Sequence, residues 1–169
     1  MGKSLKIFKT YLSNRTQYVD FDGTLSDTLQ IRTGVPQGSI LGPLLFLVYI
    51  NDICHSSSMF DFIVYADDTT LHSSLDKFNG SALGNAALSI NINEELNKVH
   101  NWVKANKLSL NVRKTKFMIF HMPQKNISVP HLEIDGTEIE YIQNFNFLGI
   151  IIDNNLNWNS HLDNLEPSY

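Results

Sequence analysis

Cysteine is nearly missing: Cys54 is the only one in 169 residues. An internal disulfide framework is excluded, and the chain reads as intracellular, nuclear or cytoplasmic. One Cys and six scattered His offer no zinc-ligand spacing. Long apolar runs are missing too. The longest, Leu44 to Ile50, is far too short to span a bilayer. Met1 to Lys6 lead into no apolar signal core, so neither secretion nor membrane association is expected. Nor is there an excess of positive charge. A net charge of −4 counts against tight binding of polyanions by the chain as a whole. Repeats and low-complexity stretches are absent as well. With 43% hydrophobic and 18% charged residues, the composition is globular, and the length suffices for one domain with a core, or one domain with a small appendage.

What is present is a mixed order of helix and strand signals. Leu5 to Leu12 reads as the end of a helix. Tyr18-Val19 and Thr28 to Arg32 read as strands around the turn Asp22-Gly23-Thr24. Thr33 to Ser39 is a loop by its Gly and Pro content. Ser39 is a reasonable cap for a helix over 40–53, with Pro43 in its first turn, where a missing N–H costs nothing. Asn79-Gly80-Ser81 marks a turn. Leu88, Ile92, Leu96, Val99 and Val103 recur at helical spacing and predict a helix over 81–106 with one buried stripe. Lys116 to His121 reads as a strand, with Phe117, Met118 and Phe120 as core. Leu132 to Glu140 alternates around Asp135-Gly136 and predicts a hairpin. Phe145 to Ile152 reads as a last strand, and Trp158 to Leu165 as a helix that Pro167 limits. The fold class is α+β, an antiparallel sheet with helices on one face.

The most informative feature is the box Tyr65-Ala66-Asp67-Asp68. It ends the apolar run Phe60 to Ala66 and precedes the β-prone run Thr69 to Ser74. Successive strand residues point to opposite faces, so adjacent Asp serve one site only across a tight turn. Strand, acidic turn, strand is a way to hold a divalent cation. Mg²⁺ takes carboxylate oxygens, water and substrate phosphates, the chemistry of phosphoryl transfer.

Three further stretches keep a fixed order with it: Gly34-Val35-Pro36-Gln37-Gly38-Ser39 with Leu41-Gly42-Pro43, Leu108-Ser109-Leu110-Asn111 with Lys114-Thr115-Lys116, and Phe147-Leu148-Gly149-Ile150. In this order the chain resembles the palm of a reverse transcriptase, an RNA-directed DNA polymerase, of the non-LTR retrotransposon, Jockey-like type. The resemblance runs from about Leu5 to Leu162. It implies a partial N-terminal segment over 1–32, a palm over 33–165 and a tail over 166–169. It implies an RNA template, a DNA primer and deoxynucleoside triphosphates as partners, and Mg²⁺ as cofactor. Asp67 and Asp68 are then the catalytic, metal-binding carboxylates. Tyr65 and Ala66 lie near the primer end and the nucleotide sugar. Gln37, Gly38 and Ser39 face template and nucleotide, and Lys114 or Lys116 faces the triphosphate. Phe147, Leu148 and Gly149 resemble the hairpin that grips the primer. Nothing in the sequence sets an oligomeric state.

The family pattern also asks for an upstream Asp in a context like Phe-Asp-x-Val that bridges both metals, and no such segment precedes Thr33. By the same comparison the segments expected to form fingers and thumb are not among these residues. The expected outcome is a truncated palm that holds Mg²⁺ weakly, is inactive alone, and leaves apolar surface where fingers and thumb would dock. Two other readings remain. One is a non-enzymatic remnant or interaction domain. The other is a haloacid-dehalogenase-like phosphatase on Asp20-Phe21-Asp22-Gly23-Thr24, although the polar residues before it suit a buried strand poorly. Lys104, Lys107, Arg113, Lys114 and Lys116 read by default as a solvated edge. Lys98 reads as solvated, the histidines as surface or satisfied residues, and Trp158 as packed or exposed.

Overall fold

In a computed structural model that describes residues 2–36, 38–78, 85–124 and 127–165, the chain divides into two units, Met1–Asn51 and Asp52–Tyr169. The seam expected at 32/33 falls inside the first.

The first unit starts with helix α1 (Lys3–Leu12). Strand β1 (Arg15–Gln17) then pairs antiparallel with β4 (Leu29–Ile31), and between them β2 (Asp20–Phe21) pairs with β3 (Thr24–Leu25). Asp22 and Gly23 both have positive φ, 49° and 78°, the pattern of a type I′ turn, for which Asp-Gly is suited. The expected turn is therefore present. The strand expected over 28–32 is present as β4, but the one expected at Tyr18-Val19 is not: those residues are a joint between two ladders, where the Val19 N–H donates to Ser26 Oγ at 2.9 Å. Helix α2 (Leu41–Ile50) is followed by a 3-10 turn, Asn51–His55, so the helix expected over 40–53 ends early. Only Gly42 and Ile50 of this unit are buried among the described residues.

In the second unit, β5 (Asp61–Tyr65) and β6 (Asp68–His72) form an antiparallel hairpin. A 3-10 turn, Leu75–Phe78, follows, then α3 (Asn85–Ala105). The turn at 79–81 and the expected helix start near Ser81 lie outside the described residues. The four-and-three spacing of α3 does bury its stripe: Leu88, Ile92, Leu96, Val99 and Val103 are all buried. Leu88, Ile92 and Leu96 share a core with Phe78, Leu132, Ile134 and Ile139, against which Phe60, Leu71 and Phe117 pack. The helix ends in a Schellman motif. The Leu108 N–H reaches Val103 O at 3.0 Å and the Lys107 N–H reaches Lys104 O at 2.9 Å, with Lys107 at φ 56°.

Beyond it lie a 3-10 turn, Val112–Lys114, and β7 (Lys116–Phe117). The strand expected over 116–121 stops there, and Phe120 is exposed rather than core. β8 (Glu133–Ile134) and β9 (Thr137–Glu138) form the expected Asp-Gly hairpin, while β10 (Glu140–Tyr141) leaves it to pair in parallel with β7. Phe145 to Ile152 is not one strand. It is the hairpin of β11 (Asn144–Phe147) and β12 (Ile150–Asp153), turned by Leu148 and Gly149, both at positive φ. Helix α4 (Asn159–Leu165) closes the described chain, and Trp158 beside it is exposed. The tail expected over 166–169 lies outside the described residues.

The α+β class is present in a looser form than expected. Among the described residues the strands make six two-stranded ladders rather than one sheet, five antiparallel and one, β7 with β10, parallel. The reason is local. Most strands are two to four residues long and punctuated by Asp-Gly or Leu-Gly turns, so each ladder ends before a third strand joins it.

Candidate functional site

Hairpin β5–β6 positions the acidic box. Phe62 and Val64 are half-buried, while Asp61, Ile63 and Tyr65 are exposed, the alternation of a strand with one covered face. Tyr65 pairs with Asp68, leaving Ala66 and Asp67 as a two-residue loop. Ala66 alone has positive φ, 51°, the pattern of a II′ turn. That turn favours glycine at the first loop position, so alanine there carries strain of about 1–2 kcal/mol. The turn is what lets two carboxylates adjacent in sequence share one hairpin end.

Both Asp67 and Asp68 are exposed, and neither carboxylate has a hydrogen-bond or ion-pair partner among the described residues. The other end of the hairpin differs. Lys77 Nζ lies 2.9 Å from Asp61 Oδ2, and its hydrogen bond and charge hold the Asp61 carboxyl below the usual carboxylate range. As donors the tip carboxylates suit Mg²⁺ in kind, since that ion is bound by one or two carboxylates plus substrate phosphates. In number they fall short of a site made by protein alone: no group of three or more His, Cys, Asp or Glu comes together among the described residues.

The Gly34 to Ser39 loop belongs to the first unit. Gln37 lies outside the described residues. Gly38 is exposed with φ 75°. Ser39 is a hub. Its Oγ donates to Pro36 O at 2.7 Å, accepts the Gly42 N–H at 3.1 Å, and meets the Tyr11 hydroxyl. Its hydroxyl is thus committed to shaping the loop and capping α2. Gly42 is required there: a Cβ would lie 2.9 Å from Ser39 Oγ and 3.3 Å from Pro36 O. Arg15 Nη2 donates to Thr33 O at 3.2 Å and Gly34 O at 2.6 Å, clasping the start of the loop. An arginine followed by polar residues gave no sign of this.

The two candidate lysines differ. Lys116 Nζ is paired with Glu140 across the parallel β7–β10 bridge. Lys114 is exposed, and its side chain has no partner among the described residues. Its backbone N–H donates to Asn111 Oδ1 at 3.3 Å, so Asn111 caps the turn that presents it. Phe147 is half-buried, and Leu148 and Gly149 are the exposed tip of β11–β12. Asp20 and Asp22 sit in an exposed antiparallel hairpin, whereas phosphatase chemistry asks for a buried strand tip.

Two buried polar groups were not foreseen. Glu95 on α3 accepts from Ser57 Oγ at 2.6 Å and pairs with Lys98, so Lys98 is not simply solvated. Burial raises the Glu95 pKa, but the bonds from Lys98 and Ser57 outweigh it and hold the carboxyl below its ordinary 4.5. His100 is buried with neither ring nitrogen hydrogen-bonded, contrary to the expectation of a surface or satisfied histidine. Its Nε2 lies 3.6 Å from Asp135 Oδ2. Both residues lie on the buried face of α3, and the polar residues around them in sequence make them read as part of its solvated face.

A family model described as "Reverse transcriptase (RNA-dependent DNA polymerase)" matches residues 2–152. The chain is 26% identical over 170 residues to the RNA-directed DNA polymerase from mobile element jockey of Drosophila melanogaster, covering 96% of this chain and 18% of that protein. It is 31% identical over 163 residues to the probable RNA-directed DNA polymerase from transposon BS of the same species, covering 92% of this chain and 17% of that one. With the probable RNA-directed DNA polymerase from transposon X-element, also of that species, the identity is 24% over 165 residues, with 94% and 17% covered. The chain therefore spans 17–18% of the length of these relatives. No solved structure matches it.

Proposed function

The chain belongs to the reverse transcriptase family, Jockey-like among those of non-LTR retrotransposons, and from that premise we propose that it is the palm portion of an RNA-directed DNA polymerase. One observation carries this reading: two unpartnered carboxylates, Asp67 and Asp68, at the tip of a two-residue turn.

In the proposed reaction a primer 3′-hydroxyl attacks the α-phosphate of a deoxynucleoside triphosphate paired to an RNA template, and pyrophosphate leaves. Asp67 and Asp68 would hold Mg²⁺ together with the substrate phosphates, and the ion would neutralise charge on the transferring group. The tip is free to do so, since no cation of the protein occupies either carboxylate among the described residues. Ala66 gives close approach to primer and sugar by its small side chain. Gln37 and Gly38 meet the template and the incoming base, and Ser39 holds their loop in shape. Lys114, rather than Lys116, gives its proton to the leaving pyrophosphate, because Glu140 already claims Lys116. Leu148 and Gly149 at the tip of β11–β12 bear on the primer.

With only two carboxylates gathered among the described residues, the isolated chain would hold Mg²⁺ weakly and extend primers poorly. The loss is about a hundredfold or more, by analogy with removal of one transition-state stabiliser. The test is a chimera in which residues 33–165 replace the matching segment of a full-length jockey-type polymerase. RNA-templated extension is expected, and Asp67→Asn should lower it by a similar factor. A folded chimera that extends equally well with and without Asp67→Asn would refute the assignment.

A further inference from the structure

Charge is segregated along the second unit. Between residues 96 and 132 there is no Asp or Glu, yet this stretch carries seven of the chain's 13 Lys and Arg. All 17 acidic residues lie elsewhere. The structure then sorts the cations. Lys98 is paired with Glu95, and Lys116 with Glu140. Lys104, Lys107, Arg113 and Lys114 are exposed, with no ion pair among the described residues. These four run from the last turn of α3, through its Schellman end, to the 3-10 turn at 112–114.

The helix dipole favours cations at a C-terminus and so accounts for Lys104 and Lys107. It does not reach Arg113 and Lys114. Nor does it explain why Lys107 occupies the φ 56° position, where glycine would be easier by about 1 kcal/mol. Beside Arg113 the surface dips into a shallow recess lined by Ser109, Asn111 and Thr137, whose hydroxyls and amide suit phosphate oxygens. The carboxylates of the neighbouring β8–β10 segment are drawn elsewhere. Glu133 and Glu138 face His131, Asp135 faces His100, and Glu140 takes Lys116.

We propose that Lys104, Lys107 and Arg113, with the recess beside Arg113, form a nucleic-acid backbone track that binds without metal and without the acidic hairpin. Sparse cations with hydroxyl neighbours, beside carboxylates already turned to His100, His131 and Lys116, fit spaced phosphates. Nucleic acid as the source of those phosphates, over another polyanion, rests on the polymerase reading above. The track itself does not.

The experiment is fluorescence anisotropy of the full chain with a labelled RNA–DNA primer–template duplex in EDTA, at 50 and 200 mM salt. Three phosphate contacts predict a loss of about 40-fold in affinity across that range, from a slope of about −0.9 per contact. The triple variant Lys104→Gln, Lys107→Gln, Arg113→Gln should abolish most of that slope while keeping the wild-type melting temperature. Lys3→Gln, Lys6→Gln, Lys9→Gln makes the same change in net charge on α1 and should leave the slope intact. Asp67→Asn, Asp68→Asn should not weaken binding. Unchanged binding by the 104/107/113 variant, or an equal loss from the α1 variant, overturns the proposal. Equal competition by polyglutamate overturns its nucleic-acid source. Failure of the chimera to extend primers, with binding intact, would count against the polymerase reading alone.

Discussion

At the scale of single residues, the turn at Ala66 and the buried pair at Glu95 make the sharpest demands. Ala66 lies at φ 51°, where a β-branched side chain is a genuine outlier. Ala66→Val should destabilise the hairpin by about 1–3 kcal/mol, read as faster amide exchange across Phe62 to Leu71. Ala66→Gly should leave it as stable or more so. Glu95→Ala would leave the buried Ser57 O–H without its acceptor, although Ser57 Oγ still accepts from Met59 N–H, and cost on the order of 1–3 kcal/mol. The pH dependence has a defined sign. The folded-state pKa of Glu95 is lowered, so its contribution is fully present above 4.5 and is lost as pH falls through the lower folded value. Urea unfolding of wild type and Glu95→Gln should therefore differ at pH 7 and converge in strong acid. A difference that grows on acidification would contradict the assignment. Neither Glu95 nor His100 was legible beforehand, because the polar residues around each in sequence make it read as part of the solvated face of α3.

At the scale of elements, legibility followed the strength of local signals. The α3 stripe, the acidic hairpin and the Asp135-Gly136 turn were readable because periodicity or turn chemistry specifies them within a few residues. The hairpin β11–β12 was missed from the residues themselves, although the family resemblance pointed to one. Its turn begins with Leu148 at φ 51°, a residue that turn chemistry disfavours, inside a run that looks like one continuous strand. Leu148→Asn should therefore stabilise the protein by about 1 kcal/mol, since Asn-Gly suits a I′ turn. Denaturant midpoints of the two proteins would check this. The parallel pairing of β7 with β10 was also hidden, because it joins segments more than twenty residues apart through only two paired positions, Lys116 with Glu140 and Phe117 with Tyr141.

At the scale of the whole molecule, the two units differ in what holds them. The second has a core built on α3. The first exposes Leu5, Ile7, Phe21, Leu25, Leu44 and Val48, and buries only Gly42 and Ile50 among its described residues. A unit with so little buried apolar area has little to offset its conformational entropy. Limited proteolysis of the chain should cut within 1–51 well before 85–105, and resistance spread evenly over both would contradict this. The family was legible because four motifs keep their order over nearly the whole chain. Of the candidate site only the acidic hairpin was legible, since one local turn places both Asp67 and Asp68. The most direct measurement is RNA-templated primer extension by the purified chain with Mg²⁺. A rate about a hundredfold or more below that of a full-length relative is predicted, with any residual extension lost on Asp67→Asn. Extension at the relative's own rate, or residual extension indifferent to Asp67→Asn, would contradict the account.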